Sequence, residues 1–329
     1  MPGRKVRVLL ALLLIAGLLA VPGRRAAADT ITVTHWGSAF YGAPYAVAMQ
    51  KGFFRRHGVD ITGILTSTGG GTSVRNTLAG GLPYGEVALA AAIEAVAAGQ
   101  KLIIINAGVD SIGDILWIAR PGTALHSVRD LKGRRVGFTQ PGSVTNMLIL
   151  MALQANGMTA QDVQLVAAGG IGANLSAVLN GAIDAGMTGE PVWSENRDKV
   201  QPVFWARDVL PPRMMQTVGI STVAFARAHP DVLRGIIAAR REGVQFIEAH
   251  PDEAADITAA AYSGDAGLYR AVFRNFLPIH YWSDGRLDYD GMDRMAAGLR
   301  IVGKLKGPVD WKRLVDTSLL PDDLQPASQ

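Results

Sequence analysis

Cysteine is absent from the 329-residue chain, which removes a disulfide framework, thiolate metal sites, cysteine nucleophiles and lipid attachment through a thiol. Catalytic signatures are missing as well. There is no HExxH zinc pair, no GxSxG nucleophile elbow and no SxxK pair, and the six histidines are scattered at 35, 57, 126, 229, 250 and 280. His229 and His250 precede Pro-Asp helix openings and His57 ends a helix before Gly58, so all three read as surface. His35, at the end of the first expected strand, reads as a packing or ligand-contact residue rather than a catalyst. Nucleotide loops are lacking too: "TSTGGGTSVRN" at 66–76 has three glycines but no lysine after them, and "GGIGAN" at 169–174 is too short for a dinucleotide fingerprint and reads as a turn. Long hydrophobic runs are scarce. The longest, Val8–Val21, is fourteen residues, too short to span ~30 Å of hydrocarbon as a helix.

That run follows Arg4, Lys5 and Arg7 and is followed by Ala26, Ala27 and Ala28 before Asp29, the pattern of a secretory leader over residues 1–28 with cleavage near Ala28. The leader holds Arg4, Lys5, Arg7, Arg24 and Arg25 and no acid, so of 32 basic residues 27 remain opposite 28 acidic ones. The basic overall balance belongs to the leader and implies neither nucleic acid nor an acidic membrane as partner. The remaining 301 residues exceed what one core usually holds, which favours two lobes.

From Thr30 short apolar runs alternate with amphipathic stretches, the signature of a mostly parallel sheet with covered faces. A shift of 101 positions lays "TSVRNTLAGGLPYGEVAL" over "ANLSAVLNGAIDAGMTGE", pairing Leu78 with Leu179, Gly80 with Gly181, Leu82 with Ile183 and Gly85 with Gly186. The same shift lays "SAFYGAP" from Ser38 over "TQPGSVT" from Thr139, each between an apolar run and a helix. Two similar α/β lobes are therefore expected. The remainder reads as helical, with two His-Pro-Asp helix openings. Its simplest path returns to the first lobe, leaving crossings near Trp117–Pro121 and Thr217–Thr222.

Five stretches in order, the leader, "GAPYAVAMQKGFFRRHGVDI", "LKGRRVGFTQPGS", "LNGAIDAGMTGEPVW" and "HPDVLRGIIAARREGVQFIEAHPDEAADI", resemble the substrate-binding proteins of bacterial importers for nitrate, taurine, alkanesulfonates and thiamine-pyrimidine precursors. The resemblance implies a type II periplasmic binding fold: two similar α/β lobes with mostly parallel sheets and a ligand cleft between them. The expected segments are lobe one over 29–118, lobe two over 119–219, and a helical stretch over 220–329 returning to lobe one. It further implies a soluble periplasmic monomer that hands a small molecule to an ABC permease and its ATPase. No catalytic residue, cofactor, metal or nucleic acid is implied, and the membrane is met only through the permease. Two alternatives on this scaffold are an enzyme resembling the pyrimidine-precursor synthase and a binding domain serving a sensor.

Ligands of open α/β sheets bind beyond the carboxyl ends of the strands, at loops leading into helices. Those loops nominate Ser38, Phe40 and Tyr41 with Gly70, Gly71 and Thr72 from lobe one, and Thr139, Ser143 and Thr145 with Glu190 and Trp193 from lobe two. Each has a second reading. Phe40 and Tyr41 cap a core, the glycines make a tight turn, Ser143 and Thr145 cap a helix, Glu190 is solvated, and Trp193 is core. Arg75 is the only cation in these loops. With Glu190 disfavouring anions, a neutral or zwitterionic, partly apolar organic solute is expected over nitrate or a bare sulfonate.

Overall fold

The computed structural model describes residues 29–35, 38–67 and 70–325. The expected leader over 1–28 and Gly69 lie outside the described residues. Ten strands form two sheets. β1 (Asp29–Thr34), β2 (Ile61–Ser67), β3 (Tyr84–Ala88), β4 (Leu102–Ala107) and β10 (Thr217–Thr222) form one, in the order β2-β1-β3-β10-β4. β5 (Leu116–Ala119), β6 (Arg135–Phe138), β7 (Gln164–Ala167), β8 (Ala185–Thr188) and β9 (Gln201–Trp205) form the other, in the order β7-β6-β8-β5-β9. In each sheet four strands run one way, and the fourth in order, β10 or β5, is antiparallel to both its neighbours. The two lobes thus share one topology, and each antiparallel strand is the first to arrive from the other lobe.

This corrects the expected crossings. Trp117 and Ile118 lie within β5, which pairs only with β8 and β9, while Thr217–Thr222 is β10, which pairs only with β3 and β4. The chain passes between sheets over 108–115 and 210–216. An apolar strand is visible in a sequence, but the sheet that receives it is decided by non-local pairing.

The 101-residue repeat has a packing cause. Helices Gly70–Ala79 and Ile171–Leu179 lie against β3 and β8. A Cβ on Gly85 would overlap Thr77 Oγ1, and one on Gly186 would come within 2.8 Å of Val178 Cγ2. Thr77 and Val178 are themselves 101 apart. The repeated glycine lets a helix approach a strand closely in both lobes.

The helical tail returns to the first lobe only in part. Helices Pro230–Ala249 and Pro251–Tyr262 pack on helix Ala43–Gln50, where a Cβ on Gly243 would strike the Pro44 carbonyl. Helix Tyr289–Ile301 instead lies against helix Leu89–Ala97 of the first lobe and helix Val144–Ala155 of the second, with Gly298 on Met147.

Arg240 locks the tail to the first sheet. It is 1% exposed and Glu86, on β3, is 0% exposed, with Arg240 Nε donating to Glu86 Oε2 at 2.9 Å. The other guanidinium nitrogens donate to the carbonyls of Ser283 (2.7 Å) and Gly108 (2.8 Å). Glu86 also accepts from Tyr45 Oη (2.8 Å) and Thr217 Oγ1 (2.7 Å). Gly108 opens the first crossing and Thr217 closes the second, so one buried ion pair holds the tail and the roots of both crossings. Removing one partner leaves the other charge buried and unpaired. Glu86→Gln is accordingly expected to lower stability by about 3–5 kcal/mol, read as a shifted urea midpoint. An unchanged midpoint would show that the pair contributes nothing net.

Candidate functional site

The loops at the carboxyl ends of both sheets face each other across a cavity of about 1360 Å³. The first lobe contributes Ser38, Tyr41, the start of helix Gly70–Ala79 and an alanine wall from helix Leu89–Ala97. The second contributes the 139–145 loop, the start of helix Ile171–Leu179 and the end of β8. Asp114, Ile115 and Gln216, all from the crossings, also line the cavity.

Eight of the nominated residues, Ser38, Tyr41, Gly70, Gly71, Thr139, Ser143, Thr145 and Glu190, line this cavity. Phe40, Thr72 and Trp193 do not. Phe40 and Tyr41 share a 3-10 turn, yet Phe40 is fully buried among the rings of Tyr269, Phe273 and Phe276, at 4.8, 5.9 and 5.3 Å, all from the tail. The aromatic receptor that takes Phe40 lies more than two hundred residues away and left no local mark. Thr72 is exposed, and its hydroxyl accepts from Arg75 Nη2 at 3.0 Å. Trp193 packs edge-on against Trp205, at 5.7 Å and 85°, on a small core around Leu116 and Ile118. His35 does not line the cavity; its ring lies 6.1 Å from that of Tyr262.

In the second lobe three hydroxyls form a closed triangle. Thr139 Oγ1 lies 2.8 Å from both Ser143 Oγ and Thr145 Oγ1, and those two are 3.0 Å apart. Ser143 also caps helix Val144–Ala155, accepting from Asn146 N at 3.2 Å, so the cap reading and the cleft position hold together. Ser38 Oγ and Thr188 Oγ1, one from each lobe and both in residues that line the cavity, are buried without a hydrogen-bond partner among the described residues. An orphaned buried hydroxyl costs about 1–3 kcal/mol, a deficit that a ligand atom can relieve.

Glu190 is 3% exposed and its carboxylate is already engaged. It accepts from Ser194 N (3.2 Å), Ser194 Oγ (2.9 Å) and Asn275 Nδ2 (3.2 Å), the last from the tail. Asp114 is the carboxylate that sequence reasoning missed. It is 6% exposed and lies in the first crossing. Gln216 Nε2, from the second crossing, donates to its Oδ1 at 2.9 Å, and Tyr281 Oη donates to its Oδ2 at 3.3 Å. Tyr41 Oη donates in turn to Gln216 Oε1 at 3.0 Å. Burial pushes the Asp114 carboxyl up to about 7; the hydrogen bond from Gln216 opposes the rise, and the nearby Glu190 charge adds to it.

Lys304, also missed, lines the cavity with its Nζ 3.7 Å from Glu94 Oε2, so Arg75 is not the only cation there. Neither Asp114 nor Lys304 belongs to a loop that the repeat singles out. The start of helix Ile171–Leu179 was within reach, because the 101-residue shift lays Gly70 and Gly71 over Ile171 and Gly172.

Among known proteins, the chain is similar to the riboflavin-binding protein RibY of Chloroflexus aurantiacus, 25% identical and covering 85% of this chain and 82% of that one. Its fold is similar to that of the periplasmic aliphatic sulphonate binding protein SsuA of Escherichia coli, with a TM-score of 0.73 at 16% identity over 87% of this chain and 96% of that one. It is also similar to that of the desulfurization enzyme DszB, with a TM-score of 0.63 at 16% identity over 89% of this chain and 97% of that one. The family model described as NMT1/THI5 like matches residues 39–254, and the chain, with its two mixed five-stranded sheets in a periplasmic binding protein fold, belongs to that family.

Proposed function

We propose that the protein is the extracytoplasmic solute-binding component of an ABC importer, which captures a partly apolar organic solute between its lobes and presents it to a permease and ATPase. The observation that carries this reading is the cavity itself, lined from both lobes, whose two sheets are linked by two short crossings. Hinged closure is the motion such a linkage allows. The family assignment and the binding proteins RibY and SsuA support the same role. Among the described residues, no helix is long and apolar enough to cross a membrane. Export to the periplasm rests on the leader pattern over 1–28.

Solute character follows from size and lining. At about 1360 Å³ the cavity exceeds the roughly 300–1,000 Å³ of ordinary small-molecule sites and is far larger than an inorganic anion needs. Ala88, Ala90, Ala91, Ala95 and Val74 give it an apolar wall with room for a ring system. Three carboxylates, Glu94, Asp114 and Glu190, stand against two cations, Arg75 and Lys304, which disfavours a strongly anionic solute. A riboflavin-sized molecule fits these features better than taurine or nitrate.

A binding role without turnover is proposed because, among the described residues, no serine or threonine that lines the cavity is hydrogen-bonded to a carboxylate or a histidine. Among the described residues no cluster of three or more His, Asp or Glu side chains could hold a metal. The likeness to DszB makes the enzyme alternative worth testing: incubation with riboflavin or an aromatic sulfinate should return the compound unchanged, and stoichiometric or catalytic conversion would overturn the reading. Small-angle scattering should show a smaller radius of gyration on addition of a solute that binds by calorimetry; equal radii with a proven binder would exclude closure. Tyr41→Ala should weaken an aromatic solute by roughly 0.5–1.5 kcal/mol beyond the lost contact area. Phe40→Ala should instead cost about 3–5 kcal/mol of fold stability, because it empties a core position. Denaturant titration beside calorimetry separates the two; a large binding loss without a stability loss for Phe40→Ala would return Phe40 to the cleft.

A further inference from the structure

We propose that Asp114 is the specificity-determining acceptor of the cleft, and that the solute it takes is a nitrogen-containing compound presenting an N–H donor to the Asp114 carboxylate. The inference rests on the solute-binding role proposed above and names the solute class.

Asp114 stands where the two crossings meet. Its carboxylate is held by two side chains: Gln216 of the second crossing holds Oδ1 and Tyr281 of the tail holds Oδ2, while Gln216 is itself fixed by Tyr41 Oη and by donation from Nε2 to the Ser111 carbonyl. A Cβ on Gly189, at the end of β8, would come within 3.2 Å of the Asp114 carbonyl, so the second lobe also abuts this segment. An ionised carboxylate offers about four acceptor positions; these two side-chain donors and the residue's own backbone N–H use three, which leaves one. The residue lines the cavity, so the remaining acceptor capacity is available to a solute seated beside the alanine wall. Gln216, equally buried, offers less: its amide already donates twice, and its neutral carbonyl, already accepting from Tyr41, has no charge to attract a donor.

No cation compensates Asp114 at contact distance among the described residues. The groups facing it are the Tyr41 and Tyr281 hydroxyls, both kept neutral by burial, the Gln216 amide, and the Glu190 carboxylate, which repels it. Arg207 donates to the Gly113 carbonyl at 2.6 Å, Arg213 is paired with Asp110 at 2.8 Å, and Arg120, the nearest arginine along the chain, donates to the Val178 carbonyl at 3.1 Å. A buried carboxylate without a counter-charge is costly for folding, and a donor supplied by the solute removes that cost in the bound state. A bare anion in the same place adds a like charge instead.

The sign of the pH dependence follows. Burial raises the folded-state value to about 7, so the stability this group contributes is complete below the ordinary carboxylate range and is lost as pH rises through about 7. An N–H donor binds the ionised form, so solute affinity moves the other way and grows as pH rises through the same window.

The experiment is calorimetric titration of wild type and Asp114→Asn with riboflavin, cytosine, benzamidine, nitrate and butanesulfonate, at about pH 8 and about pH 6. For the wild type, the tightest binder should be one of the three N–H compounds, with affinity about tenfold lower at the acid pH because roughly a tenth of Asp114 is then ionised. Asp114→Asn should bind that compound at least about tenfold more weakly at the alkaline pH, with little pH dependence left. The same variant should unfold at a higher temperature than wild type at about pH 8, which excludes misfolding as the cause of lost binding. Tightest binding of nitrate or butanesulfonate, unchanged affinity of Asp114→Asn, or affinity that rises toward acid pH would each overturn the assignment to Asp114. Failure of the wild type to bind any of the five would overturn the solute-binding reading beneath it.

Discussion

The buried pair Arg240–Glu86 is the interaction on which the rest of the molecule depends. Ion pairs at 1% and 0% exposure rarely repay their desolvation by attraction alone; they persist where every remaining donor and acceptor is met. Here each guanidinium nitrogen has a partner, in Glu86 and the carbonyls of Gly108 and Ser283, and Tyr45 and Thr217 also donate to the carboxylate. The consequence is positional. The pair joins the tail helix Pro230–Ala249, the central strand β3 and the roots of both crossings, so both crossings leave the first lobe at one buried anchor. Tyr45 and Tyr84, 2.8 Å apart, extend the network to Asn106 at the end of β4.

A second polar network stands beyond that rigid base, and its role differs. Tyr41, Gln216, Asp114 and Tyr281 link the first lobe, both crossings and the tail by hydrogen bonds of 2.9–3.3 Å, and the first three of these residues also line the cavity. The Arg240–Glu86 network is closed and charge-balanced, whereas this one carries an uncompensated acid beside the cleft. On the proposal above, stability and recognition fall to different acids, Glu86 on the first sheet and Asp114 in the crossing between the sheets. The lobes are tied further by Asn275 on Glu190 and by helix Tyr289–Ile301, which touches both. The proposed solute capture would thus act on lobes that already have polar and apolar contacts between them.

The fold was legible because its signals are local. Strand and helix alternation, the two His-Pro-Asp openings and the Gly85/Gly186 repeat all survive as β-strands, helices and close helix–strand approaches. The second-lobe loop was legible for the same reason: Thr139, Ser143 and Thr145 lie within seven residues and bond one another. What was not legible depends on partners far along the chain. Phe40 goes to core because the tail supplies an aromatic receptor, and Trp193 because Trp205 does. Asp114 and Lys304 reach the cleft only because antiparallel strands enter each sheet from the other lobe and because helix Tyr289–Ile301 spans both. Glu190 lines the cavity, but its hydrogen bonds to Ser194 and Asn275 turn much of its acceptor capacity inward.

The most direct measurement is native mass spectrometry of protein purified without denaturation from cells grown on rich medium. A solute-binding protein of this kind should carry a fraction with one added organic molecule per chain, released as an intact small molecule on activation and absent after unfolding and refolding. Protein that is uniformly free of any bound solute, and stays so when offered fractionated growth medium, would contradict the solute-capture role.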